Sequence, residues 1–189
     1  MANGQETNDV NRVALGFIDK MDRFSHLLGK LSAWLVLIAC AISALNAIVR
    51  YSFNIGSNAW LELQWYLFAG TVYFGAPLLL KLNEHVRVDV IYGGRSGRTQ
   101  AWIDLLGLLI FFMPVCVAMV LLSLNFVHDS YNQHEMSSSA GGLLRWPVKL
   151  MIPLGFALLT LQGVSEIIKR IGYLTGTYNM DTHYERPLQ

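Results

Sequence analysis

The sequence predicts an all-α integral membrane protein: four transmembrane helices behind an N-terminal amphipathic helix, with the N-terminus in and the C-terminus in. Three observations lead there. Hydrophobic residues fill 53% of the 189 positions and charged residues only 14%, for a mean hydropathy of +0.39. A soluble domain averages about a quarter charged residues and needs them for its polar skin. The charges also gather between long apolar runs, which is the membrane pattern. Finally, eleven of the fourteen Lys and Arg fall in the N-terminal segment, the connection after the second apolar run, and the tail. Only Arg50, Arg145 and Lys149 lie opposite, so the positive-inside rule puts both termini and the 81–100 connection in the cytoplasm.

Residues 1–9 (MANGQETND) are polar and predict a disordered tail. Over 10–30, Val10, Val13, Phe17, Met21, Phe24 and Leu28 recur about every 3.5 residues, the period of an amphipathic helix. Arg12, Asp19, Lys20, Asp22, Arg23 and Lys30 occupy other positions. This helix either lies along the membrane surface with its basic residues near headgroups, or extends the first span into the cytoplasm.

The first span covers 31–49, without a charge; roughly 20 residues cross the hydrocarbon core. A cleavable leader is the rival reading, because Ala39-Cys40-Ala41 fits a small-x-small site. The charged segment before it is too long for an ordinary leader, which favours a retained span. Asn46, near the far end, is placed to bond to a neighbouring helix. Residues 50–58 (RYSFNIGSN) form a turn at the interface, with Tyr51 and Trp60 as aromatic anchors.

The second span covers 59–80 and carries Glu62 and Gln64 near its start. The third, 101–127, has Ser96 as the helix N-cap and Asp104 in an early turn, where the helix dipole favours it. The fourth covers 147–168. Pro114 and Pro153 predict bends rather than breaks, since spanning helices tolerate proline where neighbours satisfy the freed carbonyl. The four spans form one membrane domain over 31–168, and 169–189 is a cytoplasmic tail.

Several chemistries are excluded or weak. A net charge of +1 gives no reason to propose nucleic acid. A haem-carrying bundle needs histidines at membrane depth, but His26, His85, His128, His134 and His183 all lie outside or at the ends of the spans. Cys40 and Cys116 sit in apolar runs and offer no metal-type spacing. A metal site from Glu84, His85 and Asp89 is a weak reading, because two-residue alternation in a loop is poor ligand geometry. No cofactor and no enzymatic activity are expected.

Glu62 is the clearest anomaly, since an ionisable group in a span is a functional hypothesis by default. It lies one turn inside the outer end, at the level of Arg50, and an Arg50–Glu62 pair across the hairpin is the expected arrangement. Gln64 faces another side. His85, Arg87 and Asp89 alternate with valines, which suits an ordered partner contact. The outer loop 128–146, with Ser137-Ser138-Ser139-Ala140-Gly141-Gly142 before Arg145 and Trp146, reads as a flexible connection whose small residues permit close approach.

The order of several short motifs resembles the small membrane subunit of TRAP (tripartite ATP-independent periplasmic) transporters, the DctQ-like family. They are Arg50-Tyr51, Trp60-Leu61-Glu62, Phe74-Gly75-Ala76, His85-Val86-Arg87-Val88-Asp89 and Ile152-Pro153-Leu154-Gly155-Phe156, within residues 30–170. The family pattern often has a second acid after the Trp, where this chain has Leu63. The Ser-Ser-Ala-Gly-Gly and Arg-Trp-Pro-Val-Lys stretch is similar to the branch labelled mannitol/chloroaromatic or keto-acid type.

The resemblance implies a small permease subunit, a scaffold in a sodium-coupled uptake system for organic acids in the bacterial inner (cytoplasmic) membrane. It would brace a large many-span permease subunit that carries the substrate path, and help dock a periplasmic substrate-binding protein. Arg50, Trp60, Glu62, His85, Arg87, Asp89, Arg145, Trp146, Pro153 and Gly155 are the candidate structural and partner-contact residues. A membrane-anchor subunit of another multi-subunit complex is the alternative, and a self-sufficient small exporter a third reading disfavoured by the apolar mid-spans.

Overall fold

Apolar runs this long have one way to satisfy their backbone in hydrocarbon, which is to close every hydrogen bond within a helix. The computed structural model, which describes residues 2–54, 56–83 and 95–179 with side chains from Arg12 onward, is built that way. Helix α1 spans Ala2–Phe53, α2 Asn58–Leu82, α3 Gly97–Asn132 and α4 Trp146–Thr175. All four are long and apolar enough to cross a membrane. Among the described residues, the β-type pairing is a single bridge between Met136 and Leu144.

Local signals explain the ends. Ser96 caps α3 by accepting the Thr99 amide at 3.4 Å, as its position before the helix predicts. Pro147 sits in the first turn of α4, where its missing N–H costs nothing. Gly176, at φ +79°, ends α4, and the Thr177 amide closes back on the Gly172 carbonyl at 2.8 Å. Between them α4 passes through Pro153 unbroken, and α2 through Pro77. Ahead of Pro114, α3 widens into a π-helical turn at Leu108–Phe112, in which the Met113 amide reaches the Leu108 carbonyl.

α1 is one 52-residue helix, roughly 78 Å long at 1.5 Å per residue. The polar start, the amphipathic stretch and the first span therefore share a single backbone axis. Ile18, Ser25 and Leu28 are buried, so the amphipathic stretch already packs on the bundle. That favours the reading in which it extends the span.

Packing between the helices is inverted relative to a soluble protein. Small or polar side chains point inward: Ser25, Ala39, Ala101, Gln162 and Ser165 are each at most 1% exposed. Large apolar ones point outward, among them Trp34, Leu45, Val72, Phe111 and Leu122. Such a surface suits lipid, where small residues let helix backbones approach. Helix α4 touches all three others and forms the axis of the bundle. At its crossing with α2, a Cβ on Gly155 would stand 2.5 Å from Tyr73 Cδ1. At the α1–α2 crossing, a Cβ on Gly75 would stand 2.9 Å from Ser32 Oγ, whose hydroxyl donates to the Thr71 carbonyl at 2.8 Å.

Candidate functional site

Polar chemistry collects at the two ends of this bundle. The end carrying the 83–96 connection holds a buried ion network. It grows from one face of α4, where Gln162, Glu166, Lys169 and Arg170 recur at helical spacing and so point the same way. Glu166, 1% exposed, is its centre. Its carboxylate accepts from Lys169 Nζ at 2.7 Å, Arg170 Nη1 at 2.6 Å and Gln162 Nε2 at 3.2 Å.

Each of the other helices contributes a partner. From α1, Asp22 accepts from Lys169 at 2.8 and 3.0 Å, and Ser25 donates to Gln162 Oε1 at 2.8 Å. From α2, Lys81 approaches Asp22 at 3.6 Å. Asn83, left-handed at φ 56° just past the helix, accepts from Arg170 at 3.0 Å. From α3, Asp104 accepts from Arg170 at 3.2 Å. Three carboxylates thus face three cations, and four helices are tied through two adjacent side chains of α4. Burying ions this deeply is tolerable only with such complete pairing.

Lys169 and Arg170 were expected in a polar cytoplasmic tail, and Asp22 on the polar side of the 10–30 helix, facing headgroups or water. The structure corrects both: α4 continues past the apolar run, and these charges turn inward. The sequence signal was the polar series 162, 166, 169–170 on one face of α4, read instead as the end of a span.

The opposite end is organised by Glu62, only 5% exposed. The expected pair with Arg50 does not form. Glu62 Oε2 accepts the Leu143 amide at 2.7 Å, and Oε1 accepts the Ser137 hydroxyl. The reason is phase. Arg50 lines a cleft on the side of α2 that presents Asn58 and Leu61, and Glu62 is roughly 100° round the helix from Leu61.

The loop it holds is folded rather than a flexible connection. The Ser137 amide donates to the Leu143 carbonyl at 3.0 Å, and the Arg145 amide to the Glu135 carbonyl at 2.9 Å. Gly141 turns at φ +71°, and a Cβ on Gly142 would meet Glu62 Oε1 at 3.0 Å. Glu135 anchors the base through Lys149 and, at 3.6 Å, Arg145. The Lys149 ammonium hydrogen-bonded to Glu135 holds its carboxyl below the usual glutamate range.

The remaining candidates scatter between these ends. Trp60 lies exposed in the first turn of α2. Trp146 packs edge-on against Tyr131 at 5.6 Å. Pro153 is buried in α4, two residues before the crossing at Gly155. His85, Arg87, Asp89 and the weak metal reading with Glu84 lie outside the described residues. Among the described residues no group of His, Cys, Asp and Glu is arranged to hold a metal ion.

Residues 39–172 match the family model described as "Tripartite ATP-independent periplasmic transporters, DctQ component". No curated protein and no solved structure matches the chain.

Proposed function

Because the chain belongs to the DctQ component family of tripartite ATP-independent periplasmic transporters, we propose that it acts as a static brace for the large permease subunit. It is a multi-pass membrane component of a transporter and not an enzyme. In this reading both termini face the cytoplasm and the membrane is the bacterial inner membrane. The large subunit moves a sodium-coupled organic acid, and the folded 133–145 loop helps dock the periplasmic binding protein.

One observation carries the brace role: among the described residues, the buried carboxylates Glu62 and Glu166 and the half-buried Asp22 and Asp104 find their partners within this chain. Asp22, Asp104 and Glu166 are matched by Lys81, Lys169 and Arg170, and Glu62 by the loop. The mid-depth hydroxyls of Thr71 and Thr160 turn back on their own helix, to Leu67 and Phe156 carbonyls at 2.9 and 2.7 Å. A bundle whose carboxylates are matched in this way offers little to a passing cation, and its ion network resists shear between helices. Trp60, Trp146 and the 85–89 segment are then contacts to the partner or to headgroups.

The test is reconstitution of the large subunit and binding protein with and without this chain. The brace reading expects sodium-dependent uptake to collapse without it. Full uptake by the large subunit alone would end the proposal.

A further inference from the structure

Arg50 remains without a protein partner: it makes no side-chain hydrogen bond or ion pair among the described residues, although it stands in a built cleft. Asn46 and Arg50, one turn apart, line the same face of α1, and Asn54, left-handed at φ 56° just past the helix end, joins them in the cleft. Across from them lie Ser57 and Asn58 at the start of α2, enclosing a cleft of about 320 Å³. Asn58 is fixed there by donating to the Ala140 carbonyl at 3.2 Å. Ser57 sits at the N-cap of α2, yet its side chain caps nothing. Among the described residues no carboxylate lines the cleft, so the charge they give it is that of one guanidinium.

We infer that this cleft binds a phosphate group, supplied in the membrane by a phospholipid headgroup. A guanidinium beside amide and hydroxyl donors matches a tetrahedral oxyanion with several acceptor oxygens. A carboxylate from a partner protein would need the arginine fork alone and would leave the asparagines idle. Position favours lipid as well. The cleft opens at the end of two spanning helices, flanked by Tyr51, Phe53 and Trp60, which are 88%, 68% and 51% exposed. Aromatics of this kind mark the headgroup level. The inference needs α1 and α2 to span the membrane; it does not need the brace role.

The full chain, delipidated in detergent, is titrated with dioleoylphosphatidylglycerol, with dioleoylglycerol, which lacks the phosphate, and with inorganic phosphate, and bound species are counted by native mass spectrometry. One phosphatidylglycerol should bind, with affinity falling about tenfold in Arg50→Gln, the effect of losing a charge-assisted bond. Asn46→Ala should fall less, and Arg50→Lys should lie between, because an ammonium is a point donor rather than a fork. Dioleoylglycerol should bind the wild type and Arg50→Gln alike. Displacement of the lipid by inorganic phosphate at millimolar concentration would keep the phosphate chemistry and make the free ion its source. Equal phosphatidylglycerol binding by wild type, Arg50→Gln and Asn46→Ala would overturn the inference. So would loss of the large subunit from Arg50→Gln with lipid binding intact, which would give Arg50 a protein carboxylate instead.

Discussion

Glu166→Gln removes one negative charge from the ion network while keeping the side chain's shape. In the wild type the two carboxylate oxygens take a Lys169 ammonium, an Arg170 guanidinium and the Gln162 amide. Glutamine retains one acceptor oxygen and turns an amide donor toward one of the cations. Two carboxylates, Asp22 and Asp104, are then left against Lys81, Lys169 and Arg170. Breaking a buried pair by removing one partner costs about 3–5 kcal/mol. Asp22 and Asp104 continue to hold Lys169 and Arg170 from the other side, so the lower end, about 3 kcal/mol, is expected. The measurement is reversible unfolding of the full chain in mixed micelles by a denaturing detergent. A second substitution isolates the electrostatics: Lys169→Met restores the charge balance. The double variant should then be more stable than the sum of the single effects by about 1–3 kcal/mol. A Glu166→Gln variant as stable as wild type, or strictly additive single effects, would refute the reasoning.

Other perturbations read other contacts. Gly155→Val places atoms where Tyr73 lies and should destabilise the bundle by about 1–3 kcal/mol, with part recovered by Tyr73→Ala; an unchanged unfolding midpoint would show that the helices do not cross there. Glu62→Gln should speed hydrogen exchange at the Leu143 amide about tenfold, since that amide loses a charged acceptor, and unaltered protection would remove Glu62 from the loop's support. Glu135 has a depressed pKa in the folded chain, so its tether to Lys149 is fully present above the ordinary glutamate range and is lost as pH falls through the lower folded value. Trp146 fluorescence should report that transition on acidification, and a Glu135→Gln variant that keeps it would assign the change elsewhere.

Long uncharged runs made the spans legible, because in hydrocarbon a window of that length has no other stable form. Ser96 was legible for a local reason too, as its hydroxyl serves an amide three residues away. Glu62 stood out by its cost, but its partner did not, since Leu143 is 81 residues distant and no helical period connects them. Lys169 and Arg170 were misread because charges after an apolar run ordinarily mark water. Only packing of α4 against three helices decides that these two face inward.

The wide turn in α3 has a consequence for the helix as a whole. One buried seam of the helix, flanked near its start by the also buried Gln100 and Leu105, runs through Ala101, Leu108, Cys116, Ser123 and Ser130. Seven residues separate each from the next, except that eight separate Leu108 from Cys116. The π-helical turn falls in that longer interval and takes up the additional residue as a local loop-out of the ladder. The two halves of α3 are therefore in phase because of the turn. Removing one residue from 109–111 would leave a regular helix with both half-seams still aligned, whereas removing one elsewhere would swing half the seam about 100° into lipid. The turn thus works as a spacer that sets the rotational register of the helix.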